Sequence, residues 1–281
     1  MRSQKLFAVW SLAAMMALTG LFVGCSDDDA PTGNIGSLTD PEFVMIREAI
    51  ESVVDSTVAF VGTSLSTEGR IPADDSTIVG VFYGPNPPID ISIEANYEYL
   101  NGWHILSLLS TSASFEATHM DSVRFLDAEG NPMELVVAPV SMNFRRHWAY
   151  TPTDTDVTHV RFVGDAAMDL DDINTNLGTL NGENALEIHS KLVTVDSTVL
   201  WDITVDAALT DIEFDVSPIA QLSGCPRSGS VTSTIEMVRT KDGESPVTTT
   251  WTVVAGFDDG AVNVVVTKGN TTWTYSADLC Q

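Results

Sequence analysis

The side chains with the most specific chemical potential form one acidic run. Asp169-Leu170-Asp171-Asp172-Ile173-Asn174-Thr175-Asn176-Leu177-Gly178 sets side-chain oxygens at close intervals, and Glu183 follows. Ca²⁺ takes about six to eight oxygen ligands, so Asp169, Asp171, Asp172, Asn174, Asn176 and Glu183 are a candidate calcium set. The competing reading is a solvated acidic loop. A second cluster, Arg145-Arg146-His147-Trp148, gathers basic and aromatic groups in a chain otherwise dominated by acid. A guanidinium fork beside an indole face could hold an anion or a sugar ring; ion pairing with neighbouring carboxylates is the simpler use. For nucleophilic catalysis there is no Gly-x-Ser-x-Gly elbow. His104, His119, His147, His159 and His189 show neither His-Glu-x-x-His nor His-x-His spacing, so sequence places no two of them as joint metal ligands. Carboxylates are so numerous that no particular glycosidase-like pair stands out.

Two of these regions resemble known families. Asp172, Asn174, Asn176 and Glu183 stand at positions one, three, five and twelve of a loop similar to the EF-hand. Leu177 departs from that pattern where the sharp turn demands Gly, and no flanking helices are predicted. At the N-terminus, Arg2 and Lys5 precede an apolar run from Leu6 to Val23, broken only by Ser11, Thr19 and Gly20. That is the layout of a secretory signal peptide. Leu21-Phe22-Val23-Gly24-Cys25 resembles the lipobox of bacterial lipoproteins, with Phe22 and Val23 departing from its commonest residues. The resemblance implies cleavage before Cys25, diacylglycerol on its sulfur, and anchoring in the cell envelope. Two or more acyl chains give stable anchoring at about 0.8 kcal/mol per buried methylene. Cys25-Ser26-Asp27-Asp28-Asp29 is also similar to the acidic signal that sends some Bacteroidetes-type lipoproteins to the outer face of the outer membrane. Either face of that membrane remains open.

With Cys25 assigned to lipid, Cys225 and Cys280 are left as a pair in a compartment where disulfides persist. Bridging them would close a loop worth roughly 4 kcal/mol in the chain-entropy picture. The net charge is −26, and −28 once the signal takes Arg2 and Lys5 away. Such a polyanion is repelled by phosphate backbones, which argues against nucleic-acid binding.

These groups must be positioned by a mainly β chain. Asp40 caps and Pro41 opens an amphipathic helix, with Phe43, Ile46, Ile50, Val53, Val54 and Val58 on one side, ending near Gly62. Strands are predicted over 77–83, 89–99, 123–126, 135–142, 157–163, 186–195, 199–209, 212–216, 231–238, 247–254, 261–268 and 271–277. Asp259-Gly260 and Gly269-Asn270 mark tight hairpins. The pattern predicts an antiparallel meander, as a curved sheet, barrel or sandwich, with the helix at its N-terminus. Its expected divisions are signal 1–24, lipidated disordered tether 25–38, a helix-plus-β unit 39–163, an acidic loop or linker 164–185, and an all-β unit 186–281. One continuous domain 39–281 is the alternative. The expected function is a non-enzymatic envelope binding or structural module, with no cofactor other than the candidate calcium. A curved sheet under a helix would resemble envelope carriers of lipids and lipoproteins, and their ligand would be apolar. The competing expectation is a secreted hydrolase for glycan or peptide, built on two carboxyls in a cleft.

Overall fold

The computed structural model describes residues 34–39, 42–47, 50, 91–156, 158–175, 177–195, 197–215 and 226–278. Its strands are β1 (Asn34–Ile35), β2 (Ser92–Leu100), β3 (Trp103–Thr111), β4 (Phe115–Leu126), β5 (Ser141–Pro152), β6 (His159–Asp171), β7 (Leu177–Val193), β8 (Thr198–Asp215), β9 (Pro226–Lys241), β10 (Val247–Asp258), β11 (Ala261–Lys268) and β12 (Thr271–Asp278). A short helix, α1, covers 42–47, with Ile50 helical beyond it. From β2 to β12 every strand pairs antiparallel with its neighbour in the chain. β1 adds two residues in parallel on β12. The result is one open sheet among the described residues, rather than two stacked ones.

Turn chemistry explains the meander. Asn101-Gly102 and Asp259-Gly260 have positive φ at both central residues, 53° and 85° in the first and 48° and 91° in the second. These are two-residue hairpins whose twist matches the strands. Gly269 supplies the single positive φ, 57°, of the β11–β12 turn. Three bulged positions align across the middle of the sheet. The β7–β8 register slips between Leu180 and Gly182, and β8–β9 slips between Thr210 and Glu213. Asp211, at φ 49°, donates its N–H to Asn181 Oδ1 at 2.8 Å. Gly229 on β9 has φ 100°, and a Cβ there would lie 2.4 Å from Asp211 O. Aligned bulges bend a sheet and raise its twist.

Side chains alternate between a buried and an exposed face along β6 to β12. One hydrophobic cluster runs from α1 through β12 to β4. The N-terminal segment is fastened to the far end of the chain. Gly36 N–H bonds Thr272 O at 3.1 Å, and Trp273 Nε1 donates to Ser37 O at 3.1 Å. Phe43, fully buried, stacks on Trp273 with centroids 5.3 Å apart. Lys268 pairs with Glu42 and lies over the Trp251 ring.

Several expectations need correction. Residues 164–185 are not a linker: they finish β6, turn over 172–175, and begin β7. Their acidic look comes from the exposed face and the turn, since Ala166, Met168, Leu170 and Leu180 are buried between the acids. The predicted strand 135–142 starts only at Ser141. Ala138 sits at φ 51° just before Pro139, and Leu135 and Val137 project into solvent. Segments 199–209 and 212–215 are one bulged strand, β8, and Val216 lies outside the described residues. The sequence reading lacked β3. Residues 51–90, with the expected helix end and the 77–83 strand, lie outside the described residues, as do Cys25, Cys225 and Cys280.

Candidate functional site

Strand alternation splits the basic cluster. Arg146 and Trp148 point to the buried face, whereas Arg145 and His147 point to the other. On the exposed side His147 Nδ1 meets Asp165 Oδ1 at 2.8 Å, and His189 Nδ1 meets Asp202 Oδ1 at 2.6 Å. Arg145 joins Arg124 over the Trp103 ring, at 4.9 and 4.7 Å from its centroid. Arg124 also donates twice to Asn143 Oδ1, and Asn143 donates to Asp169. These partners meet sequence charges locally.

The buried side is different, because a charged trio stands there. Arg146 donates to Asp121 through Nε at 2.7 Å and through a second guanidinium nitrogen at 2.8 Å. His119 Nε2 lies 3.0 Å from the same carboxylate. The side chains of Asp121, Arg146 and His119 are 14%, 19% and 24% exposed. Burial alone pushes the Asp121 carboxyl up. The Arg146 charge, that of His119 when protonated, and the Arg146 hydrogen bonds outweigh burial and hold it well below the usual carboxylate range.

Aromatic rings flank the trio on both sides, Phe125 and Phe162 buried and the others part-exposed. Toward one end of the strands, Tyr97, Tyr99 and Phe125 surround His104, with ring centroids 6.3, 4.8 and 5.8 Å away. His104 Nε2 faces the Met133 carbonyl at 2.8 Å and so carries the proton, leaving Nδ1 to accept from Tyr97 OH at 2.9 Å. Burial, then Glu134 and Tyr99, raise the Tyr97 pKa, which keeps that hydroxyl a donor. Toward the other end, Phe115, Tyr150 and Phe162 stack in series at 5.3 and 5.6 Å. Trp148 lies over Gly164 so closely that a Cβ there would sit 2.3 Å from the indole. The glycine opposite is what lets the ring lie flat.

Register links the trio to a transverse row. Asp121 opposes Arg146, Arg146 opposes Ala166, Ala166 opposes Asn184, Asn184 opposes Ala207, and Ala207 opposes Ser233. Asn184 and Ser233 are 3% and 2% exposed. Along β6 to β9 this row therefore carries only small or polar side chains. On one side of it stand Met168, Gly182, Leu209 and Val231, and on the other Gly164, Leu186, Val205 and Ile235. Among the described residues Asn184 Oδ1 has no hydrogen-bond partner. A buried acceptor left this way costs about 1–3 kcal/mol.

Of the described members of the expected calcium set, Glu183 stands apart from the rest. Asp169 and Asp171 project from the exposed face of β6, and Asp172 and Asn174 form the following turn. Asp171 opposes Thr179, so Glu183 lies four residues further along β7, about 13 Å away by strand rise. Among the described residues no group of three His, Cys, Asp or Glu could hold a metal ion; Asn176 lies outside them. Burial, then Asp169 and Asp172, raise the Asp171 pKa. This raised carboxyl sits on the open face, not in the cleft a two-carboxylate hydrolase needs. Sequence reasoning missed Asp121, His119, Asn184 and Ser233. The usable signal was polar residues at positions whose neighbours two apart are apolar. No protein-family model, curated protein or solved structure matches this chain.

Proposed function

We propose that the chain is a lipid-anchored envelope protein, tethered through Cys25, whose sheet face binds an amphipathic molecule without catalysing its conversion. The observation that carries this reading is the change in character of one face. Along β7 to β12 that face is buried, and along β2 to β5 it keeps the part-exposed rings of Tyr97, Tyr99, Phe115, Trp148 and Tyr150 around a closed ion trio. Small-molecule sites combine apolar and aromatic walls with a few placed polar groups. Rings with one wet end, such as Tyr97, Tyr99 and Tyr150, suit a ligand that is part apolar and part polar. Asp121 argues against its own use as an acid or base, since it is committed to Arg146 by two hydrogen bonds. The Cys25 tether rests on the signal-like residues 1–24 and the lipobox-like Leu21–Cys25.

Titration of the purified domain with N-phenyl-1-naphthylamine tests the binding reading. Saturable fluorescence enhancement at one site per chain, weakened by Trp148→Ala, is the expected result. Enhancement no greater than that given by the unfolded chain sinks it. The tether is tested by labelling cells with tagged palmitate. Label should be incorporated in the native chain and lost in Cys25→Ala.

A further inference from the structure

We propose that the loop between β4 and β5 docks another polypeptide through Leu135 and Val137, and that the docked segment is an amphipathic helix whose apolar face is flanked by Lys or Arg. The proposal is independent of the amphiphile reading. Leu135 is 80% exposed and Val137 63%. Val136 between them packs against the core, and Pro139 just beyond is buried, so the two flanking side chains are turned outward. The loop is pinned on both sides. Met133 N–H bonds Phe125 O at 2.9 Å, Val140 N–H bonds Leu126 O at 2.9 Å, and Ile173 N–H bonds Val140 O at 3.1 Å. Ala138 is held at φ 51°, a conformation that a residue with a Cβ keeps only where its surroundings impose it. The apolar pair is thus presented in a fixed geometry, and a partner covering it loses little entropy in ordering the loop.

The charge of the partner follows from what surrounds the pair. Glu134 adjoins Leu135, Glu129 lies in the same loop, and Asp171 and Asp172 stand at the β6–β7 turn that Ile173 joins to Val140. Among the described residues none of these four carboxylates has an ion-pair partner. Asp127 holds the loop itself, accepting from the N–H groups of Glu129 and Asn131. The cations on the adjoining strands, Arg124 and Arg145, are stacked on Trp103. A basic segment is therefore complementary to this end of the sheet. A second copy of the chain would bring a net charge of −26 against it, and anionic lipid is repelled in the same way. Strand order puts the loop at the end of the sheet opposite β1, which pairs with the start of β12. A tether leading from Cys25 into β1 leaves the loop clear of the membrane.

The test is fluorescence anisotropy of a labelled amphipathic peptide of Lys, Leu and Ala titrated with the full chain, compared with the same peptide carrying Glu for every Lys. The lysine peptide should bind saturably and lose affinity as salt rises, and the glutamate peptide should not bind. Leu135→Ser with Val137→Ser should weaken the lysine peptide about tenfold or more, because two large apolar side chains leave the interface. Val254→Ser, which changes a 44% exposed valine on β10, should leave the affinity as it was. Glu134→Gln with Asp172→Asn should weaken binding and flatten its salt dependence while keeping the apolar pair. Unchanged affinity in the Leu135 and Val137 variant reduces the binding to general attraction by a polyanion and overturns the inference, as does a native chain that does not bind the lysine peptide. Competition by neutral phosphatidylcholine vesicles that depends on Leu135 would make the loop a membrane contact, and overturns it too.

Discussion

Replacing Arg146 by Met should turn the buried trio from a stabilising feature into a destabilising one, and pH should reveal the change of sign. Met keeps most of the aliphatic contact of Arg but removes its charge. Asp121 is left on an apolar face with His119 as its nearest charged neighbour. Breaking a buried pair by removing one partner costs about 3–5 kcal/mol, and with the two side chains 14% and 19% exposed the lower end applies, about 3 kcal/mol. In the native chain the Asp121 pKa is depressed on folding. Its contribution is therefore present above the unfolded carboxylate range and is lost as pH falls toward the folded value. Without Arg146, burial becomes the dominant influence and raises the folded pKa above the unfolded one. The contribution is then largest at low pH and is lost as pH rises. Urea midpoints for both chains from pH 7 to pH 4, each also carrying His119→Gln, measure the difference, with the remaining titrating groups cancelling in the subtraction. The gap should narrow steadily toward pH 4, by about 1.4 kcal/mol per unit of pKa change. Replacing both partners, as Asp121→Leu with Arg146→Met, should restore most of the loss. A gap under about 1 kcal/mol, or one independent of pH, refutes the buried-pair argument.

Three further outcomes are expected. Phe43→Ala removes a fully buried ring stacked on Trp273 and should cost about 3–5 kcal/mol in urea unfolding, with faster amide exchange at Gly36 and Trp273. Gly229→Ala forces a Cβ to within 2.4 Å of Asp211 O at φ 100°; it should lose about 1–3 kcal/mol or more, where a Gly256→Ala control, with open space around its Cα, loses far less. Pro226 O accepts from Gly260 N–H at 2.9 Å, and Ala261 opposes Asp278, so the chain neighbours of Cys225 and Cys280 lie at one end of the sheet. Protein expressed with its N-terminal segment and purified without reductant should then show an intact mass lower than its reduced form by one pair of hydrogens, and Cys280→Ser should abolish that difference.

The C-terminal half was legible because each strand there has one face in the core. Val262, Val264 and Val266 alternate with Asn263 and Val265, and Asp259-Gly260 and Gly269-Asn270 mark the turns. The bulge in β8 was not legible, since Thr210-Asp211 reads as a turn and the pairing partners that keep it in the sheet lie on other strands. β3 was missed because Trp103–Thr111 has a helix-like apolar density, and only its two neighbours make it a strand. Residues 164–185 misled through their acids, which all belong to one face. The candidate site suffered most. Asp121, Arg146 and Asn184 are separated by up to 63 positions and meet only through the register of four strands.

The meander also sets an order of events for a chain that becomes available from its N-terminal side first. Each strand from β3 onward docks on the strand completed just before it, so loop closure is short at every step and little unpaired edge is exposed for long. The exception is the clasp of β1 and α1 on β12, whose Ser37–Trp273 bond spans 236 residues. That clasp waits for the last strand to arrive. Assembly thus finishes where it began, with the first described segment closed onto the last strand.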